Sequence, residues 1–187
     1  MSTIVSNPAT LLDLLKVEGK AELIGGRIVT IMPSGDAPST VALEIVVRVR
    51  DYANLVGRGK AYADGTGFAL ASPLPNGRQS FCPDAAYFTG KPSAKKLRFV
   101  EGAPDFAVEV RSENDYGPKA ERDMATKRAD YFAAGTQVVW DVDTVAETIT
   151  AYKSSNPAAP VVFRRGDAAD AEPALPGWRL PVDEVFG

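Results

Sequence analysis

Histidine is absent from the 187-residue chain, and its absence excludes Ser-His and Cys-His catalysis and the commonest zinc ligand. Cysteine occurs once, at Cys82, so no disulfide can close within the chain. A lone thiol suits a reducing, cytoplasmic setting. Long apolar runs are missing too: stretches such as FAVEV and QVVWDV are short and interrupted by charge, far below the ~20 residues that span a bilayer. The N-terminal MSTIVSNPATLLDLLK has neither a basic leader nor an apolar core followed by small residues, so neither a secretory signal nor a membrane association is expected. There is no excess of positive charge, since 21 Lys+Arg stand against 24 Asp+Glu. Any surface for a polyanion must therefore be local. Carboxylate and lysine chemistry is what remains.

The 45% hydrophobic content is enough for a core, and the length fits one domain over residues 1–187. A helical prop is expected within 1–20, with Pro8 at its first position and Gly19 ending it. The AELIGGRIVTIM segment sets two apolar runs around Gly25-Gly26, a β-hairpin pattern carrying Glu22 on its first strand. In STVALEIVVRVRDYANLVG, helical spacing puts Val41, Ile45, Arg48 and Tyr52 on one stripe, closed by Gly57. Short strands broken by DGTG and PLPNGR follow, and FCPDAAYF carries Asp84. After a basic excursion with Lys91, Lys95, Lys96 and Arg98, PDFAVEVRS reads as a buried strand bearing Glu109. KAERDMATKRADYFAAG is a helix between Pro118 and Gly135. TQVVWDVD, ETITAYK and PVVFRR read as a strand meander, and residues 172–187 as an apolar, Pro-rich clasp. This order predicts a mixed α/β (α+β) domain around one sheet.

Asp84 and Glu109 each stand near an apolar strand, and their separation permits adjacent strands with both carboxylates on one face. Two such groups suit Mg²⁺, with Mn²⁺ as a substitute, because Mg²⁺ takes one or two carboxylates and keeps several waters. A bound ion of this kind generates a nucleophile from water and neutralises charge on a phosphoryl group.

The ordered set ELIGGRIV, FCPDAAYF, PDFAVEVRS, a helix with Asp123-x-x-x-Lys127-x-x-x-Tyr131, VVWDVD and LPGWRLPVDEVF resembles the Uma-type restriction endonucleases of the PD-(D/E)XK superfamily, over about Glu22 to Phe186. The resemblance implies a restriction-endonuclease-like core, a central mixed sheet flanked by helices, with the N-terminal hairpin and C-terminal clasp attached. It implies a metal-dependent endonuclease acting on DNA, often as a homodimer. Asp84 and Glu109 match the metal ligands. Lys127 matches a lysine moved onto the helix, where it would orient water or stabilise the phosphorane. The slot two positions after Glu109, which the wider superfamily gives to lysine, holds Arg111, which cannot act as a base near neutral pH. Glu22 matches the first-strand Glu and is an accessory third carboxylate; Glu44 competes for that role, and Tyr131 is a further accessory. The run Ser112-Glu113-Asn114-Asp115 and Pro38 depart from the family pattern.

Plain structural readings stand beside these. Asp84 after Pro83 suits a turn, and Glu109 could bridge to Arg111 or Lys127. Lys127 could form an i,i+4 pair with Asp123. Arg111 could clamp a phosphate or neutralise the carboxylates. Cys82 reads as a small buried hydrophobe, and Asp141 and Asp143 as structural. A catalytically silent nuclease-fold binding module, or an enzyme acting on a small phosphorylated substrate, would fit the same sequence.

Overall fold

A computed structural model describes residues 7–91, 93 and 95–187. The first six residues of the expected prop, and Pro92 and Ala94 of the basic excursion, lie outside the described residues. In chain order the elements are α1 (Leu11–Leu14), β1 (Ala21–Ile24), β2 (Arg27–Thr30), α2 (Asp36–Val56), β3 (Lys60–Ala63), β4 (Phe68–Ala69), β5 (Ser80–Phe81), β6 (Ala85–Phe88), β7 (Val100–Glu101), β8 (Phe106–Val110), α3 (Pro118–Ala133), β9 (Val138–Asp143), β10 (Thr148–Lys153), β11 (Val161–Phe163), β12 (Ala168–Asp170), β13 (Arg179–Pro181) and α4 (Val182–Phe186). Among the described residues no helix is long and apolar enough to cross a membrane.

The first helix departs from expectation. It begins after Thr10, whose hydroxyl accepts the Asp13 N–H while the Asp13 carboxylate reaches back to the Thr10 N–H. That capping box satisfies two free donors at once, which outweighs the preference of Pro8 for a first helical position. Helix α2 starts at Asp36 and takes Pro38 into its first turn, where a missing N–H is harmless; it ends as expected at Gly57, with φ 64°. Helix α3 begins at Pro118, with Gly135 beyond its end at φ 105°.

The central sheet has six strands in the order β11-β10-β9-β8-β6-β3. Only β8 and β9 run parallel, joined through α3; the other pairs are antiparallel. The mixed sheet flanked by helices matches the expected fold class. Strand alternation divides its residues between two faces. Phe106, Val108, Val110, Trp140 and Val142 face α2 and the C-terminal segment, where they meet Ile45, Val49, Trp178 and Leu180. Trp140 and Trp178 stack with centroids 5.4 Å apart. Ala86, Ala107 and Val139 point the other way, towards Phe68, Phe81 and Tyr131. Glu109 and Asp141 fall on this second face by the same parity.

The β1–β2 hairpin turns through Gly25 and Gly26, at φ 57° and 69°, the conformation a two-residue primed turn requires. It is bolted to the β4–β5 connection and to the start of β5: the Gly25 N–H donates to the Gly77 carbonyl at 2.8 Å, and the Leu23 N–H to Ser80 Oγ at 2.8 Å. Gly77 itself has φ 85°, and a Cβ there would lie 2.6 Å from Gly25 Cα. Gly77→Ala would combine a left-handed alanine with a backbone clash. The expected result is a thermal midpoint lower by roughly 4–8 °C, for about 2 kcal/mol, read by circular dichroism; an unchanged midpoint would show that the two turns can part freely.

Candidate active site

The β6–β8 register pairs Ala85 with Val108, so one further step sets Asp84 opposite Glu109. The Asp84 N–H continues the ladder to the Val108 carbonyl at 3.0 Å. Asp84 Oδ2 then accepts the Val110 N–H at 2.7 Å, which fixes the carboxylate against the end of β8. Glu109 lies beside Asp141 across the parallel pair. These three carboxylates come from neighbouring strand ends on the second face, where they help line a cavity of about 800 Å³. Its other walls include Val29, Met32, Tyr116 and Met124.

Lysines from two other elements meet the carboxylates. Lys127, on α3, lies 2.8 Å from Glu109 Oε2 and 3.0 Å from Glu22 Oε1. The Tyr131 hydroxyl, one helical turn on, donates to Glu109 Oε1 at 2.7 Å. Spacing i,i+4 puts both side chains on the helix face that meets the sheet. The hairpin supplies Glu22, which accepts the Cys82 N–H at 3.0 Å and pairs with Arg78. Arg78 in turn bonds Asp130 Oδ2 at 2.7 Å. Lys20, two residues before Glu22 and so on the same side of the hairpin, lies 2.6 Å from Asp84 Oδ1 and 2.6 Å from Asp64 Oδ1.

Electrostatics separates the carboxylates. Burial pushes Glu22 up, but Lys127 and Arg78 more than offset it and leave it lowered to about 2. Burial pushes Glu109 up to about 7, with Lys127 opposing and Asp84 and Glu22 adding to the rise. Lys127 is raised: burial disfavours its charge, yet Glu109 and Glu22 together hold the proton on. The Cys82 thiol is pushed up to about 11 by burial and is buried like an apolar residue.

Of the residues singled out from sequence, Asp84, Glu109, Lys127, Tyr131 and Glu22 converge here. Glu44 does not: it lies on α2 across the sheet, bonded to Arg48 at 2.6 Å. Arg111 lines the same cavity but is bound elsewhere, with Nε and Nη2 on the two Asp141 oxygens at 2.8 and 2.9 Å and with Glu121 as a further partner. It neutralises Asp141 rather than Asp84 or Glu109, and a guanidinium held so fully has little left to clamp a phosphate. Asp123 pairs with Lys119 at 2.6 Å, so the Asp123–Lys127 bridge gives way to Lys119, the other i,i+4 neighbour of Asp123. Lys91, Lys95, Lys96 and Arg98 are exposed. Lys20 and Arg78 join the cluster although neither was among the candidates from sequence. The pattern Lys20-x-Glu22 at the start of a hairpin was a usable signal for the first; nothing local marked the second.

Among the described residues no three His, Cys, Asp or Glu side chains are arranged to enclose a metal ion. Asp84 and Glu109, as two cross-strand carboxylates, still match an ion that takes one or two carboxylates and completes its shell with water. Each of their oxygens accepts one bond from the protein, and a carboxylate oxygen has capacity for a second partner.

The model of the Uma2 family, described as "Putative restriction endonuclease", matches residues 8–183. Comparison with curated proteins finds no match. Among solved structures, the chain is similar to a "putative nuclease belonging to DUF820" from Anabaena variabilis, with a TM-score of 0.72 over 96% of this chain and 98% of that one. At 20% identity, that likeness speaks for a shared fold.

Proposed function

This chain belongs to the Uma2 restriction-endonuclease family, and on that footing we propose that it is a Mg²⁺-dependent endonuclease hydrolysing DNA phosphodiester bonds. Asp84 and Glu109 hold the ion, Mn²⁺ can replace it, and Lys127 is the cation at the reacting phosphate. The observation that carries this reading is the meeting of Asp84 and Glu109 across adjacent strands with Lys127 at 2.8 Å from Glu109. When bound, the ion would supply a water of lowered pKa and neutralise charge on the phosphoryl oxygens.

The protein's own groups prepare that chemistry. The Val110 N–H and the Tyr131 hydroxyl hold one oxygen each of Asp84 and Glu109, so the ligand orientation is set before substrate arrives. Lys127 keeps its proton, since Glu109 and Glu22 raise its pKa; it therefore donates rather than acts as a base. An ammonium has three N–H bonds, and two are directed at Glu22 and Glu109. The third is left to orient the attacking water or to stabilise the charge that develops on the phosphorane.

The test is conversion of supercoiled plasmid to nicked and linear forms with Mg²⁺, blocked by EDTA. Lys127→Met should slow cleavage about 10²–10³-fold, the range for loss of one preorganised donor, with Mn²⁺ still bound. A wild-type protein that nicks no DNA with either ion would overturn the proposal and favour a nuclease-fold binding module.

A further inference from the structure

Lys20 immediately precedes β1, and its backbone carbonyl accepts the Ile31 N–H at 2.8 Å, which anchors the start of its side chain at the base of the hairpin. Its ammonium bridges Asp84 Oδ1 and Asp64 Oδ1. The two partners differ in setting: the Asp84 side chain is 10% exposed and that of Asp64 45%. Lys20 thus lies on a line from solvent into the site. The backbone has already taken Asp84 Oδ2 through the Val110 N–H, so Lys20 sits on the oxygen the backbone leaves open.

Resting on the metal-binding reading above, we propose that Lys20 is a positioning residue, an internal counter-ion that holds Asp84 in the metal-free protein and shifts onto Asp64 when a divalent cation binds. Like charges repel strongly in a site shielded from water, so an ammonium and a dication do not share one carboxylate oxygen in comfort. Asp64 provides the second berth. Its carboxylate is held by the Gly65 N–H at 2.7 Å, and it already contacts the ammonium, so the shift requires only that one of two existing bonds be released. The displaced ammonium then stays at the side of the site, where it can face an incoming phosphate.

Two substitutions should move metal affinity in opposite directions, which a merely structural role would not do. Lys20→Met removes the competing charge, and Mn²⁺ should bind about tenfold more tightly. Asp64→Asn removes the second berth and leaves Lys20 to Asp84 alone, so Mn²⁺ should bind about tenfold more weakly. Isothermal titration of the full chain with Mn²⁺ reads both, and thermal midpoints in EDTA report whether each variant is folded. Unchanged or weaker binding by folded Lys20→Met would overturn the inference. If that variant does not fold, Asp64→Asn decides: weakening supports the inference, and unchanged or tighter binding overturns it. Wild-type protein whose Mn²⁺ binding is absent, or unaffected by Asp84→Asn, would overturn the metal reading itself, a result distinct from failure of Lys20 alone.

Discussion

On the proposed metal-dependent nuclease reading, Glu109→Gln is expected to lower Mg²⁺-dependent cleavage about 10³-fold or more, because a metal ligand contributes several kcal/mol to the transition state and each 1.36 kcal/mol is tenfold in rate. The amide keeps the shape of the side chain and can still accept the Tyr131 hydroxyl, but it carries no charge to hold a divalent cation. Folding should survive. The Glu109 carboxyl is already pushed up to about 7 by its burial, so the folded protein gains little from its ionisation, and Lys127 keeps Glu22 as a partner. Plasmid nicking, Mn²⁺ titration and a melting curve in EDTA together read the outcome. Cleavage within tenfold of wild type would remove Glu109 from the metal site, whereas a collapsed melting curve would show that its charge is structural.

The largest loss of stability should come from Arg78→Met. The Arg78 side chain is 7% exposed and lies between Glu22, 5% exposed, and Asp130, 10% exposed. Methionine fills much of the volume but leaves two buried carboxylates without their shared cation. Breaking a buried pair by removing one partner typically costs about 3–5 kcal/mol, which for a chain of this size is a fall in thermal midpoint of roughly 6–20 °C. Glu22 gives the loss a pH signature. Its pKa is lowered from 4.5 to about 2, so the stability it contributes is present above 4.5 and is lost as the pH falls towards 2. The gap between wild type and Arg78→Met should therefore be widest near neutrality and should narrow through that acidic window. A gap that does not narrow in acid would assign the loss to packing rather than to the ion network.

Both variants lie in one cluster, yet they differ in how far sequence could reach them. Glu109 was legible because a charge inside FAVEV must find a partner, and because its separation from Asp84 permits both carboxylates on one face of adjacent strands. Asp84 was legible from its place beside the apolar run of FCPDAAYF and from the motif order. Helix α3 was equally plain from Pro118 at its start and Gly135 past its end. The beginning of α1 differs from expectation because two rules compete: proline at a first helical turn, and a Thr10–Asp13 capping box that makes more bonds. Lys127 was located on its helix, but the i,i+4 rule offered Asp123 a lysine on either side. Only the packing of α3 onto the sheet turned Lys127 inward and left Lys119 to Asp123. Glu44 matched Glu22 in type and was separated from it only by the face of the sheet on which α2 lies.

The sequence by itself placed most of the strands and helices of the central sheet and drew attention to carboxylates and lysines as the candidate groups. Those are local properties, set by a period of two or 3.6 residues and by glycine and proline. Tertiary structure alone decided the ion pairs between residues distant in the chain. Lys20 reaches Asp84 across 64 positions and Arg78 reaches Glu22 across 56, because an ion pair forms with whichever opposite charge the packing brings within about 4 Å. No periodicity in the chain records that distance; the docking of the hairpin beside α3 and the sheet creates it.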